Sequence, residues 1–229
     1  MSDLQSIVDT IREELELKNA LRDETLRRSR QLIRYCANSI RAIHRDEYAE
    51  ARQLLATARE AAAEMVADTS AHPDLYYAGY TQDALKEMCE AHITYALVSG
   101  EEVPTPKELR AKSPAYLNGL AEAAGELRRY VLDRLRKDDV AVSERLLAGM
   151  DEIYSLLITV DFPDAVTGGL RRNTDMVRGV LERTRGDLTT AVRQEEMKAA
   201  LRAFSRRIDL HDEETKGGYV LDPEEPDTP

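Results

Sequence analysis

Two pairs of glutamates have the spacing that places both carboxylates of a pair on one face of a helix. Glu87 and Glu90 are separated by three positions, and Glu122 and Glu126 by four; residues at these spacings are neighbours on a helix surface. Two facing pairs would offer four hard oxygen ligands, which suit Mg²⁺ or Mn²⁺. A divalent ion in such a site activates water and stabilises the leaving oxygen of a phosphodiester. These four residues, the carboxylate quartet, are therefore the candidate metal ligands and catalytic residues.

The spacing by itself also fits a solvated helix face, since Glu47 and Glu50 share it without any other sign of a site. The surroundings of Glu87 and Glu90 favour a site. Their helix is apolar over much of its circumference, which predicts a central position in the fold. Acids on a central helix need partners, because unpaired buried charge is costly. The other pair lies beside small residues that allow a helix or a nucleic-acid backbone to approach closely: Gly119, Ala123 and Gly125.

A stripe of arginines follows one face of the first predicted helix. Its five arginines fall, together with Asn38, within about 80° on a helical wheel of 100° per residue, and no acid interrupts positions 25–45. At a rise of 1.5 Å per residue the stripe is about 27 Å long. Arginine suits phosphate because its planar fork donates two hydrogen bonds at once, which predicts an RNA-binding surface; pairing with acids of a neighbouring subunit is the alternative. The arginine stripe consists of Arg27, Arg30, Arg34, Arg41 and Arg45.

Aromatic and imidazole side chains near these groups have two interpretations. Tyr76, Tyr77 and Tyr80 precede the first glutamate pair and could stack on single-stranded bases, although tyrosines at helical spacing more often pack between helices. His44 and His92 lie on or near apolar helix faces. They are interpreted as packing residues rather than as general acids.

The elements that must position these groups are all helices. Alanine, leucine, glutamate and arginine dominate long stretches, with only 11 Gly and 8 Pro in 229 residues and 5% aromatic residues. The pattern predicts an all-α fold, a single domain of about seven packed helices over residues 1–208 that begins with a long N-terminal helix. The predicted helices span residues 3–45, 46–67, 75–99, 113–137, 140–160, 163–185 and 189–208, with a short helical turn at 104–110.

Net charge and targeting signals bear on the cellular location and the binding partners of the protein. The net charge is −11, and residues 209–229 contain eight acids against one Lys, which predicts a disordered acidic tail. Net acidity does not exclude nucleic acid, since binding follows local basic patches. No apolar run of about 20 residues and no secretory signal is present, so a cytoplasmic protein without membrane contact is expected. Cys36 and Cys89 form neither a metal motif nor a disulfide framework.

Four segments together resemble the translin superfamily. They cover residues 17–45, 75–97, 116–135 and 161–188, and the similarity in order and spacing extends over about residues 10–188. Within them, EMCE matches the paired glutamates of the branch that contains translin-associated factor X, and the glutamate of GELRR matches a third one. Glu122 stands where that branch usually has Asp.

This resemblance implies a specific activity and assembly. The family branch is a Mg²⁺- or Mn²⁺-dependent endoribonuclease that cleaves single-stranded or unpaired RNA, and its seven-helix subunits form a hollow octamer. Archaeal members have one subunit type, which implies a homo-oligomer of catalytic subunits. The carboxylate quartet would then hold the metal, and the arginine stripe would bind the RNA backbone inside the shell.

Other functions remain open at the level of the residues. A non-catalytic oligomeric protein that binds single-stranded RNA or DNA, as translin does, would need the arginine stripe but not the carboxylate quartet. A helical nucleotide pyrophosphohydrolase would also use paired acids on two helices, but neither the arginine stripe nor the order of the motifs favours it. A ferritin-like di-iron protein needs Glu-x-x-His, and none of the four histidines has a Glu three residues before it.

Overall fold

The structure, a computed structural model, describes the backbone of residues 3–216 and the side chains of residues 3–208. Over this range the fold is all-α, without a strand, as the composition predicts. No helix in the described range combines the length and apolar character that crossing a bilayer requires. The helices are α1 (Leu4–His44), α2 (Tyr48–Asp68), α3 (Pro73–Tyr76), α4 (Gly79–Ser99), α5 (Ser113–Leu135), α6 (Val140–Leu157), α7 (Asp164–Thr167) and α8 (Leu170–Lys216).

The C-terminal helices differ from their predicted boundaries. One long helix, α8, replaces the two helices predicted at 163–185 and 189–208. A break was expected near Gly186, but a single glycine inside a helix costs only about 1 kcal/mol and does not end it. The observed break lies earlier, where Gly168 and Gly169 adopt left-handed φ angles of 65° and 86° and end the short helix α7.

The chain divides into two compact units, residues 1–185 and residues 186–229. The first unit contains α1 to α7 and the beginning of α8, and the second contains the rest of α8. The backbone of residues 209–216 is helical, so the acidic segment begins inside α8. Residues 217–229, most of the predicted acidic tail, lie outside the described residues. The division into a domain of residues 1–208 and a tail of residues 209–229 stays a prediction.

Helix α4 is the centre of the first unit, as its apolar circumference predicts. It contacts α1, α2 and α5, and Leu85, Met88 and Ile93 on it are completely buried. Cys36 and Cys89 are also buried in this core as free thiols. The core therefore surrounds the helix that carries Glu87 and Glu90.

Asp46 connects the turn between α1 and α2 to the end of α5. It adopts a left-handed φ of 63°, and its carboxylate accepts hydrogen bonds from Arg134, from Lys137 at 3.1 Å and from the Tyr130 hydroxyl at 2.9 Å. The Tyr130 hydroxyl also pairs with that of Tyr48 at 2.6 Å. Burial alone would raise the pKa of Asp46, but the hydrogen bonds from Arg134, Tyr130 and Lys137 outweigh it and lower the pKa to about 2.

Replacing Asp46 by alanine is expected to lower the free energy of unfolding by about 2–3 kcal/mol, because the change leaves partly buried donors unpaired. Denaturant unfolding at neutral pH measures this loss. The Asp46 contribution should be present above pH 4 and disappear as the pH falls toward 2, since the folded-state pKa is the lower one. Asp161, which pairs with Arg171 on the surface, is the control: Asp161→Ala should change stability by less than about 0.5 kcal/mol. Equal losses in both variants would contradict the role given to Asp46.

Candidate metal centre and nucleic-acid interface

The close approach of α4 and α5 depends on Gly119. A Cβ atom at this position would lie 2.7 Å from the carbonyl oxygen of Lys86 and 3.0 Å from the backbone nitrogen of Glu90. Both atoms belong to the backbone of α4, so no side-chain rotation would make room. The absence of a side chain at Gly119 therefore lets the acidic faces of the two helices meet, as the small residues of α5 predict.

Three members of the carboxylate quartet converge between these helices. Glu87 and Glu90 from α4 and Glu122 from α5 each offer an oxygen, and these oxygens lie within 4.8 Å of one another. The side chains of Glu87 and Glu122 are 30% and 25% exposed, and Glu90 is buried. We call these three residues the acidic cluster. Its oxygens are the hard ligands that Mg²⁺ and Mn²⁺ prefer.

Glu90 is the most unusual member of the acidic cluster. Burial, together with the negative charges of Glu87, Glu122 and Glu126, raises its pKa to about 8. Within the described part of the chain, its carboxyl group has no hydrogen bond or ion pair. A buried acid without a partner is costly unless a cation or a proton neutralises it. The acidic cluster therefore fits a divalent ion, which would supply the missing partner.

The fourth member of the quartet, Glu126, has a different partner. Its Oε2 atom lies 2.5 Å from Nε2 of His44, whose side chain is only 5% exposed. The hydrogen bond from His44 lowers the pKa of Glu126 against the opposing effect of burial. The structure thus places Glu126 beside the acidic cluster and against α1, and its role as a metal ligand stays a prediction.

Sequence reasoning missed two side chains at this site. His44, interpreted as a packing residue, is buried but holds Glu126, and no motif connects two residues that are 82 positions apart. Lys86 places its Nζ atom 2.8 Å from Oε1 of Glu122 and 3.6 Å from Oε1 of Glu87. The only available signal was its position directly before Glu87. Its contact with Glu122, 36 positions away on another helix, is not visible in a helical wheel.

The arginine stripe is exposed along its whole length, as predicted. Its two ends are paired with acids: Arg27 contacts Glu24 at 2.6 Å, and Arg45 contacts Glu47 at 2.5 Å. These acids flank the segment that the sequence showed to be free of acids. Ion pairs with neighbours on the surface contribute little stability, so the ends remain available to exchange one anionic partner for another.

The middle of the arginine stripe has no such pairing. Arg30 and Arg34 have neither an ion pair nor a side-chain hydrogen bond with any residue in the described range. Arg41 donates to the side-chain oxygen of Asn38 at 2.5 Å. It also lies one helical turn before His44, which contacts Glu126. Arg41 thus lies one helical turn from the residue that binds Glu126.

The other aromatic and imidazole candidates differ in exposure. Tyr77 is 64% exposed and lines a groove with Lys86 and Glu122, so base stacking remains a prediction for this residue. Tyr76 is half-buried and meets Tyr77 edge to face, with ring centroids 4.8 Å apart. His92 is buried and its Nδ1–H donates to the carbonyl oxygen of Met88 at 2.9 Å, as expected of a packing residue.

Comparisons with known proteins identify relatives over most of the chain. No protein-family model matches it. An uncharacterized protein of Methanocaldococcus jannaschii, MJ0175, is 33% identical over 187 residues, which are 81% of this chain and 82% of that protein. Among solved structures, AfC3PO from Archaeoglobus is 36% identical with a TM-score of 0.74, both in a complex with duplex RNA and in a separate crystal structure.

These matches cover 80% of this chain and 95% and 96% of the two AfC3PO chains. A third structure, apo-NeC3PO, has the same TM-score of 0.74 at 20% identity, which supports the fold alone. The all-α fold, the four matching segments and the extent of the AfC3PO match agree with one another. The chain belongs to the translin superfamily.

Proposed function

We propose that this protein is a Mg²⁺- or Mn²⁺-dependent endoribonuclease that cleaves single-stranded or unpaired RNA. The observation that carries the proposal is the acidic cluster, in which Glu87, Glu90 and Glu122 converge from two helices. Its buried member, Glu90, has no hydrogen bond or ion pair among the described residues. A bound divalent ion would supply the Lewis acidity that activates water for attack on a phosphodiester. The chain's own contribution is to hold the three carboxylates in place through the α4–α5 contact at Gly119.

Glu126 and His44 complete the proposed site. Glu126 borders the acidic cluster closely enough for its charge to raise the pKa of Glu90. His44 fixes the Glu126 carboxylate by a buried hydrogen bond, and a carboxylate held in one orientation loses less entropy when it engages a ligand. We therefore retain Glu126 as the proposed fourth member of the catalytic set predicted from the sequence.

The arginine stripe is proposed to hold the RNA backbone. Its unpaired middle residues, Arg30 and Arg34, offer guanidinium groups for phosphate, and the stripe leads along α1 to His44 beside the site. AfC3PO has been solved in a complex with duplex RNA. That complex supports RNA as the ligand here, whereas the preference for single strands rests on the family resemblance.

A homo-oligomer, as the family resemblance implies, is proposed as the working form, with the octamer as its expected size. Apolar side chains at helical spacing remain exposed on the first turns of α1, with exposed fractions from 45% to 75%. Within the described residues nothing covers them, and exposed apolar patches of this kind mark sites of association. The α1 patch consists of Leu4, Ile7, Val8, Ile11 and Leu15.

A cleavage assay tests the proposed function against the alternative of a binding protein without catalysis. We expect an end-labelled single-stranded RNA to be cut at internal positions in the presence of MnCl₂ and to remain intact with EDTA. A duplex of the same sequence, incubated in parallel, should be cut more slowly. If the single strand is bound but stays intact with Mn²⁺ and with Mg²⁺, the protein is a binding protein. Release of pyrophosphate from nucleoside triphosphates would support the pyrophosphohydrolase instead.

A further inference from the structure

Lys86 places a positive charge inside the acidic cluster. Its ammonium group lies 2.8 Å from Oε1 of Glu122 and 3.6 Å from Oε1 of Glu87, and so bridges the two helices. The Lys86 side chain is 20% exposed. A lysine carries its charge at neutral pH. Two of the three carboxylates that would bind a divalent ion therefore already have a cationic partner from the chain itself.

The position of this ammonium group opposes the binding of a divalent ion to the same carboxylates. The ligand oxygens of the acidic cluster lie within 4.8 Å of one another, so an ion bound among them would lie close to the Nζ atom of Lys86. At such distances like charges in a partly buried site repel strongly. One of the two cations must leave, and only the lysine side chain can move without leaving the protein.

The structure provides a place for the displaced side chain. Lys86 lines a groove of about 630 Å³ between the beginnings of α4 and α5, together with Asp83 and Asn118. Asp83 is exposed and lies three residues before Lys86 on α4, which is the spacing of an ion pair along one helix face. A rotation of the lysine side chain within this groove would exchange Glu122 for Asp83 as its partner.

We propose that Lys86 is an internal counter-ion, which occupies the cation position between Glu87 and Glu122 and is displaced toward Asp83 when a divalent ion binds. This inference rests on the metal site of the proposed function. It makes metal binding a competition between two cations for the same carboxylates. The lysine lowers the metal affinity of the site. In the metal-free protein, its positive charge reduces the repulsion between the carboxylates of the acidic cluster.

Isothermal titration of the purified protein with MnCl₂ at pH 7 tests the competition. Lys86→Gln removes the charge but retains a polar chain of similar length, and we expect it to bind Mn²⁺ about 10-fold more tightly than the wild type. Lys86→Arg keeps the charge and should stay within about threefold of the wild type. Lys107 is exposed on a loop, so Lys107→Gln controls for the loss of one positive charge elsewhere and should bind like the wild type.

Thermal unfolding of the same variants provides a second measurement, which does not depend on activity. Without metal, Lys86→Gln should unfold at a lower temperature than the wild type, because the acids repel one another. A saturating concentration of MnCl₂ should remove that difference, since the ion then replaces the missing charge. A lysine with a merely structural role would leave the variant less stable at every Mn²⁺ concentration. Lys86→Met serves as the second neutral variant if the glutamine variant does not fold.

The possible outcomes separate this inference from the proposed function. If the wild type and both neutral variants bind Mn²⁺ with equal affinity, Lys86 is not a competitor, while the metal site stands. Weaker binding by the neutral variants would also overturn the inference, because Lys86 would then support the ion. If none of the proteins binds Mn²⁺, the metal site itself is wrong and the proposed function fails together with the inference.

Discussion

Replacing Glu90 by glutamine is expected to abolish Mn²⁺-dependent RNA cleavage while RNA binding persists. Glu90 is the buried member of the acidic cluster, so the variant removes the carboxylate that a divalent ion would need most. We expect a loss of about 100-fold or more in the cleavage rate, since even residues behind the direct ligands contribute 10- to 100-fold to metal sites. Gel assays of cleavage and electrophoretic mobility shifts of the same RNA measure the two properties separately.

We expect the Glu90→Gln variant to fold like the wild type, so that unfolding would not be the cause of its loss of activity. Because burial and neighbouring charges raise the pKa of Glu90 to about 8, its side chain is mostly neutral at pH 7 without metal, and glutamine is a neutral residue of the same shape. Glu13→Gln is the matched control, because Glu13 is an exposed glutamate on α1, and it should cleave like the wild type. Full activity of Glu90→Gln, and of Glu126→Gln tested beside it, would discard the assigned site.

Replacing Gly119 by alanine is expected to damage both the fold and the site. The added Cβ would lie 2.7 Å from a backbone oxygen and 2.8 Å from the Cβ atom of Cys89, so α4 and α5 must move apart. Overpacking of this kind costs about 1–3 kcal/mol, which denaturant unfolding measures. The separation also moves Glu90 relative to Glu122, and titration with MnCl₂ should show weaker binding than in the wild type.

The same helix offers a matched control at Gly125. A Cβ atom there would meet nothing within 4 Å, and alanine favours the helix over glycine by up to about 1 kcal/mol. Gly125→Ala should therefore keep or slightly raise the free energy of unfolding and leave Mn²⁺ binding unchanged. If both glycine variants behave alike, the close contact at Gly119 does not hold the acidic cluster together.

The helices that carry the site were predictable because their signals are local. Apolar periodicity acts within a few turns of one helix, and the predicted spans at 3–45, 75–99 and 113–137 contain the observed helices. The central position of α4 also followed from its apolar circumference. The ends of the helices were less accurate: α5 ends at Leu135, two residues before the predicted end at 137.

The continuous helix α8 shows where local signals are insufficient. The sequence around Gly186 contains a glycine and an aspartate but no proline, and these residues weaken a helix without ending it. At Gly168 and Gly169 the two consecutive positive φ angles do end a helix, because no helical residue adopts them. A single residue that only weakly disfavours a helix can lie inside one when its neighbours favour the helix. A residue whose backbone lies outside the helical region cannot.

By itself, the sequence determined that this protein is helical, that Glu87 and Glu90 share one face of a central helix, and that arginines follow one side of α1. Each of these properties depends on residues within a few turns of one another. Only the tertiary structure decided that Glu122 joins the first pair, that Glu126 binds His44 and that Lys86 lies among the acids. The contacts of Glu122 and Lys86 depend on how closely α4 and α5 pack, which the missing side chain of Gly119 allows. The contact between Glu126 and His44 depends on the packing of α1 against α5, and the periodicity of a single helix records neither.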